Sequence, residues 1–186
     1  MSFKLGTTNN RAILIEDENY YDVEKLSEGK ISSDSVQALE SIEELKKLAS
    51  SLTDFPPSGK LSEIKLGNPV PSSKNSYAVG LNYRGHAEEG GMEIPEGHMV
   101  FTKHTSCFVG PKDNVELRSD FVDYEAELVV VIGKGGKDIK EENGWEHVAG
   151  MCIGQDISDR PAQFATQPPM FNLGKSFDTF GPMGPY

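Results

Sequence analysis

The sequence predicts an α+β chain in which strands dominate, and three observations carry that reading. One stretch alone sustains helical periodicity, with Val36, Leu39, Ile42, Leu45, Leu48 and Leu52 recurring every three to four residues. From Ser76 onward the apolar residues come instead in short β-like runs with polar residues embedded in them. Loops rich in proline, glycine and serine separate the two textures.

In chain order, residues 12–15 form a short β-like run and 17–19 a turn. The amphipathic helix over 36–52 has Asp34 or Ser35 placed to cap its start, and its glutamates and lysines face water. Phe55-Pro56-Pro57-Ser58-Gly59 breaks it, and a second loop over 67–76, with Pro69 and Pro71, sets a boundary near residue 72. Residues 1–72 are therefore expected to be a small N-terminal α+β region without chemistry, and 73–186 the part that carries it. Runs at 77–81, 100–103 and 124–132 read as strands, the last ending in the turn Gly133-Lys134-Gly135-Gly136. Residues 145–149 read as the end of a short helix, and 151–154 as a strand running into Gln155-Asp156. No internal repeat or low-complexity tract interrupts this order.

A hydrophobic content of 37% and a charged content of 25% belong to a chain with a packed core and exclude wholesale disorder. The formal charge of −11 argues against nucleic acid or an anionic membrane as main partner. Anionic substrates stay open, because a metal and a few lysines reverse the sign locally. Two cysteines, Cys107 and Cys152, are too few for a disulfide framework and read as small buried apolar residues. No stretch approaches the ~18 apolar residues of a membrane span and no signal-like segment opens the chain, so a cytoplasmic protein is expected.

The chemistry begins at Asp123-Tyr124-Glu125-Ala126-Glu127, where strand alternation puts the three acidic side chains on one face. Such an alternation is either a solvated strand face or a cation site. The continuously apolar run after Glu127 marks a strand buried on both faces, where neighbouring carboxylates repel one another unless a positive charge sits between them. Asp156, after the apolar run 151–153, adds a third carboxylate. All-oxygen donors favour Mg²⁺, Mn²⁺ or Ca²⁺ over zinc. His86 and Glu89, three residues apart, share a face of one helical turn, as a surface contact or as a carboxylate-oriented base. Lys103 and Lys175 are the candidate cations. Gly174-Lys175-Ser176 fails as a phosphate-binding loop, since Pro169 stands where that motif needs glycine. Lys175 reads either as a solvated lysine or as a clamp for a carboxylate or enolate.

Taken in order, five segments resemble the fumarylacetoacetate hydrolase family, in particular its acylpyruvate hydrolase and 2-hydroxyhepta-2,4-diene-1,7-dioate isomerase branch. They are 80–89 (GLNYRGHAEE), 101–103 (FTK), 123–128 (DYEAEL), 154–163 (GQDISDRPAQ) and 173–182 (LGKSFDTFGP). The resemblance covers about residues 76–186. It implies a mixed β-sandwich roll with short helices behind the small N-terminal region. It implies Glu125, Glu127 and Asp156 as ligands of Mg²⁺ or Mn²⁺, with His86 and Glu89 as a water-activating dyad on a lid-like segment. Lys175 matches the catalytic lysine, and Lys103, Arg160 and Gln163 match positions lining the substrate pocket.

The function implied is a metal-dependent hydrolase that cleaves a carbon–carbon bond in a small diketo acid of the acylpyruvate or fumarylacetoacetate type. The ion polarises the chelating carbonyl, Lys175 helps to hold the enolate, and the His86–Glu89 water attacks the other carbonyl. The same site suits a decarboxylase, hydratase or isomerase of a 2-oxo or 2-hydroxydienoic acid, and a non-catalytic binding module is the reading from another class. A homodimer is implied, with a small-molecule substrate and neither nucleic acid nor membrane as partner. Family members continue beyond the Gly-Pro-x-Gly-Pro segment, whereas this chain stops at Tyr186, so open sheet edges are expected.

Overall fold

The computed structural model describes residues 2–91 and 93–186. The first part holds the strands β1 (Lys4–Thr8), β2 (Arg11–Glu16), β3 (Asn19–Asp22) and β4 (Gly59–Lys60), paired antiparallel in that order. Between β3 and β4 lie the helices α1 (Val23–Leu26), α2 (Ser35–Ala38) and α3 (Ile42–Ala49). Ala12 to Ile15 of β2 are all buried, so this strand is covered on both faces. Asp17 takes a positive φ of 51° and turns the chain from β2 into β3, where the sequence places a turn.

The single helix expected over 36–52 is broken. Asp34 caps α2, its Oδ1 accepting from the Gln37 N–H at 3.0 Å, but a 3-10 turn at Leu39–Ser41 separates α2 from α3. Ser41, a short polar residue that competes poorly for helix, sits at the break with φ −107° and ψ 41°. The apolar stripe outlives the hydrogen-bond ladder: Leu39, Leu45 and Leu52 are buried, and Val36, Ile42 and Leu48 pack against them.

The second part runs β5 (Tyr77–Gly80), α4 (Arg84–Glu89), β6 (Met99–Thr102), β7 (Phe108–Val109), β8 (Val122–Asp123), β9 (Ala126–Ile132), β10 (Val148–Gln155), β11 (Ser158–Asp159), α5 (Arg160–Gln163), α6 (Phe171–Gly174) and β12 (Gly181–Gly184). One sheet has the order β7-β12-β10-β9 and is mixed, since β12 is parallel to β7 and antiparallel to β10. β5 pairs with β6, and β8 with β11. The fold is thus mainly strand with short helices, as expected.

Three local expectations need correction. Residues 141–147 form a 3-10 helix, and the strand already begins at Val148. The run at 124–132 is interrupted, β8 ending at Asp123 and β9 starting at Ala126. β9 is not buried on both faces. Glu127, Val129 and Val131 point inward, while Leu128, Val130 and Ile132 are exposed beside Met151 and Ile153 of β10. An uninterrupted apolar run says only that both faces resist water, and here the second face has no cover among the described residues.

One core cluster joins Ala12, Leu14, Ala38, Leu45 and Leu52 to Cys152 and Met183, so the first 72 residues and the later sheet share apolar contacts. A second cluster, Cys107, Ile157 and Phe180, is smaller, and burial there pushes the Cys107 thiol up to about 11.

Arg11 grips Asp22 of β3 with two bonds, Nε to Oδ2 at 2.7 Å and Nη2 to Oδ1 at 2.9 Å. Burial pushes the Asp22 carboxyl up, but the guanidinium and the Lys25 N–H outweigh it and hold the group below its ordinary value. A carboxyl lowered by folding contributes stability above about pH 4, and that contribution is lost as pH falls through the lowered folded value. Arg11→Met is expected to cost about 1–2 kcal/mol at neutral pH, reduced from the buried-pair figure because Arg11 is partly solvated. It should also flatten the acid limb of stability, read by urea denaturation across the pH range 3–7.

Candidate active site

β9 and β10 lie in a register that sets Glu127 opposite Gly154 and Ala126 opposite Gln155. The next rung is a backbone bond, the Asp156 N–H donating to the Glu125 carbonyl at 2.9 Å. Glu125 and Asp156 therefore leave the sheet side by side. β8 and β11 extend the same end, with Ser158 paired to Asp123. Asp159 caps α5 through a 3.0 Å bond from the Ala162 N–H. α6 then packs so tightly on α5 that a Cβ on Gly174 would fall 2.6 Å from the Gln163 nitrogen. Only glycine allows that approach, and it delivers Lys175 straight into the cluster.

The Lys175 side chain is 3% exposed, and its ammonium has three partners. Nζ meets Glu125 Oε2 at 2.9 Å and Asp156 Oδ2 at 2.8 Å, and donates to Ser158 Oγ at 2.7 Å. Ser158 Oγ in turn donates to the Asp156 carbonyl at 2.9 Å. Of the two readings of Lys175, the solvated lysine is ruled out. Lys103 Nζ holds the other oxygen of Asp156, Oδ1, at 2.8 Å and donates to the Lys175 backbone carbonyl.

Arg160 closes the other flank. Its Nη1 meets Glu125 Oε1 at 2.9 Å and Gln163 Oε1 at 2.9 Å, and its Nη2 meets Asp123 Oδ2 at 2.7 Å. The guanidinium holds the Asp123 carboxyl below its ordinary range. Gln163 is buried and props Arg160 from within the protein.

Glu127 is the exception among these carboxylates. Burial, then repulsion from Asp156 and Glu125, push its carboxyl above the ordinary value, while Lys175 and His86 pull only weakly the other way. Among the described residues it has no ion pair. His86 and Glu89 both lie on exposed positions of α4, with no hydrogen bond between them among the described residues. The dyad is thus left unformed. Leu81, with φ 52°, makes the turn from β5 into α4.

In donor type Glu125, Glu127 and Asp156 suit a hard divalent ion, and a cation beside them would relieve the repulsion on Glu127. Among the described residues no three His, Cys, Asp or Glu side chains group closely enough to hold an ion. Both oxygens of Glu125 and of Asp156 are already engaged by Lys175, Arg160 and Lys103.

Two features were missed in the sequence. Ser158 is a direct partner of Lys175, signalled only by its place two residues after Asp156. A cleft of about 460 Å³ between β6 and α6, with Phe101, Met170 and Phe171 among its walls, has no charged lining. The Phe101 and Phe171 rings meet edge-to-face at 5.6 Å, and Lys175 Nζ lies 5.6 Å from the Phe101 centroid.

Residues 75–186 match the fumarylacetoacetate (FAA) hydrolase C-terminal family. Oxaloacetate tautomerase YisK of Bacillus subtilis is 36% identical over 208 aligned positions, covering all of this chain and 68% of that protein. The chain belongs to the fumarylacetoacetate hydrolase family. Within that family, the fumarylacetoacetate hydrolase domain-containing protein 2 homolog of Dictyostelium discoideum is 42% identical over 127 residues, which are 67% of this chain and 41% of that protein. The solved fumarylacetoacetate hydrolase of Exiguobacterium antarcticum superposes with a TM-score of 0.73 at 28% identity, over 99% of this chain and 65% of that one. The chain thus spans about two fifths of several curated relatives and two thirds of a solved one. No helix among the described residues is long and apolar enough to cross a membrane.

Proposed function

We propose that this family member forms and discharges the enolate of a small 2-oxo acid, as a keto–enol tautomerase of the oxaloacetate type. The observation that carries the reading is the Lys175 ammonium, buried and fixed by Glu125, Asp156 and Ser158. A cation fixed before substrate arrives stabilises negative charge developing on a nearby substrate oxygen through its field, and exchange of one of its three present bonds frees an N–H for that oxygen. Burial excludes water and strengthens that interaction. Arg160 holds Glu125 and, with Gln163, keeps that side of the cluster rigid. His86 on α4 is the candidate carrier of the proton that leaves the carbon next to the carbonyl and returns to the enolate oxygen. Glu125, Glu127 and Asp156 would hold Mg²⁺ or Mn²⁺, which when bound supplies polarisation of the substrate carbonyl. The tautomerase relative supports the reaction type, since it is similar over the whole of this chain.

Carbon–carbon hydrolysis is the second reading, favoured by the i, i+3 placement of His86 and Glu89 on α4. It needs their hydrogen bond to form. Enolisation needs no bond between His86 and Glu89, so it is the preferred reading.

The test is a stopped assay of keto–enol interconversion of oxaloacetate, followed by the ultraviolet absorbance of the enol, with Mg²⁺ and after chelation. Acceleration with Mg²⁺ that chelation removes is expected. Cleavage of an acylpyruvate without enolisation would favour the hydrolase, and unaltered activity after complete metal removal would overturn both.

A further inference from the structure

We propose that Lys103 is a positioning residue that fixes Lys175 and Asp156, and that it does not touch the substrate. The inference rests on the reading of Lys175 as the group that receives enolate charge. The Lys103 side chain is 6% exposed, and its ammonium donates to Asp156 Oδ1 and to the Lys175 carbonyl. Two of the three N–H donors of this almost wholly buried ammonium are spent on acceptors that hold Lys175 and Asp156 in place.

The backbone around it makes the same connection a second time. The His104 N–H donates to Ser176 Oγ at 3.0 Å, so residues 103–104 clasp residues 175–176 at two points. Lys175 is also the residue that ends α6, where helix carbonyls have no partner within the helix. A cation at that carbonyl satisfies it. Asp156 is shared between the two lysines, one oxygen to each, which leaves its carboxylate no freedom to rotate. Lys103 therefore sets where the Lys175 backbone and the Asp156 side chain stand, and through them where the Lys175 ammonium points.

Lys103→Met removes the donor to both acceptors. In substrate-free protein, acylation of Lys175 by an amine-reactive reagent, read by mass spectrometry, should accelerate about tenfold. The exposed Lys74 and Lys137 serve as controls and should label at an unchanged rate. In turnover of oxaloacetate, kcat should fall about tenfold with KM within about twofold, because no substrate contact is lost. Lys103→Gln retains one of the two bonds and preserves the fold if the methionine variant does not, and it should show about a threefold rise in Lys175 labelling. Unchanged Lys175 labelling in the folded variants, or a raised KM with unchanged kcat, overturns the proposal. Labelling needs no turnover, so it still decides on Lys103 if no acid is converted, an outcome that counts against the proposed function alone.

Discussion

Lys175→Met is expected to lower kcat/KM for enolisation about a hundred- to a thousandfold, the loss that follows removal of one preorganised donor to a developing oxyanion. About a hundredfold corresponds to ~2.7 kcal/mol of transition-state stabilisation. The protein should remain folded. Stripping one partner from a buried ion pair commonly costs about 3–5 kcal/mol, because the other charge is left alone. Here neither carboxylate is left alone: Asp156 keeps Lys103 and Glu125 keeps Arg160. A loss nearer 1–2 kcal/mol is expected, since what disappears is one charged hydrogen bond per carboxylate within a network still populated by cations. Lys175→Arg should not rescue the rate, because a planar fork cannot meet three acceptors arranged around a point charge. The enol absorbance assay and a thermal melt of each variant separate the two effects. A folded Lys175→Met protein with wild-type turnover would sink the proposed role.

Locally the acidic residues and Lys175 stood out only as candidates, carboxylates leading into an apolar run and a lysine in an aromatic segment after glycine, each open between a solvated side chain and a site; the five-segment resemblance singled them out. What sits between the carboxylates was not legible. Strand alternation places Glu125 and Glu127 on one side, but only the β9–β10 register brings Asp156 beside Glu125, and register is a long-range property. The same holds for Lys175, which reaches Glu125 across 50 positions of chain. Local pattern also misjudged β9, since an apolar run cannot say which of its faces has a neighbour. It misjudged the helix at 36–52 differently. There the burial stripe was right and the hydrogen-bond ladder wrong, because periodic apolar positions report packing while Ser41 decides continuity.

Asp156→Asn should destabilise the protein more than any other single change in the cluster, whereas Glu125→Gln should leave it nearly as stable as the parent. Asp156 is the sole carboxylate on Lys103 among the described residues and one of two on Lys175. Its side chain is 9% exposed. An amide in its place has the same shape but offers one acceptor and one donor. A neutral amide leaves Lys103 a buried ammonium with no carboxylate, while Lys175 keeps Glu125, at a cost of about 3–5 kcal/mol. Glu125 is different because both its partners have a second carboxylate, Arg160 through Asp123 and Lys175 through Asp156. Its loss should cost about 1 kcal/mol. The ion readout reverses the order of interest. If Glu125, Glu127 and Asp156 are the ligands, Mg²⁺ stabilises the parent protein in proportion to the logarithm of its concentration above Kd. Glu125→Gln, still folded, should lose most of that increment. Urea denaturation in chelator ranks the two variants, and a Mg²⁺ series at fixed urea reads the ion. Equal stability of Asp156→Asn and the parent would contradict the buried two-lysine arrangement. An undiminished Mg²⁺ response in Glu125→Gln and in whatever fraction of Asp156→Asn folds would show that the ion binds elsewhere.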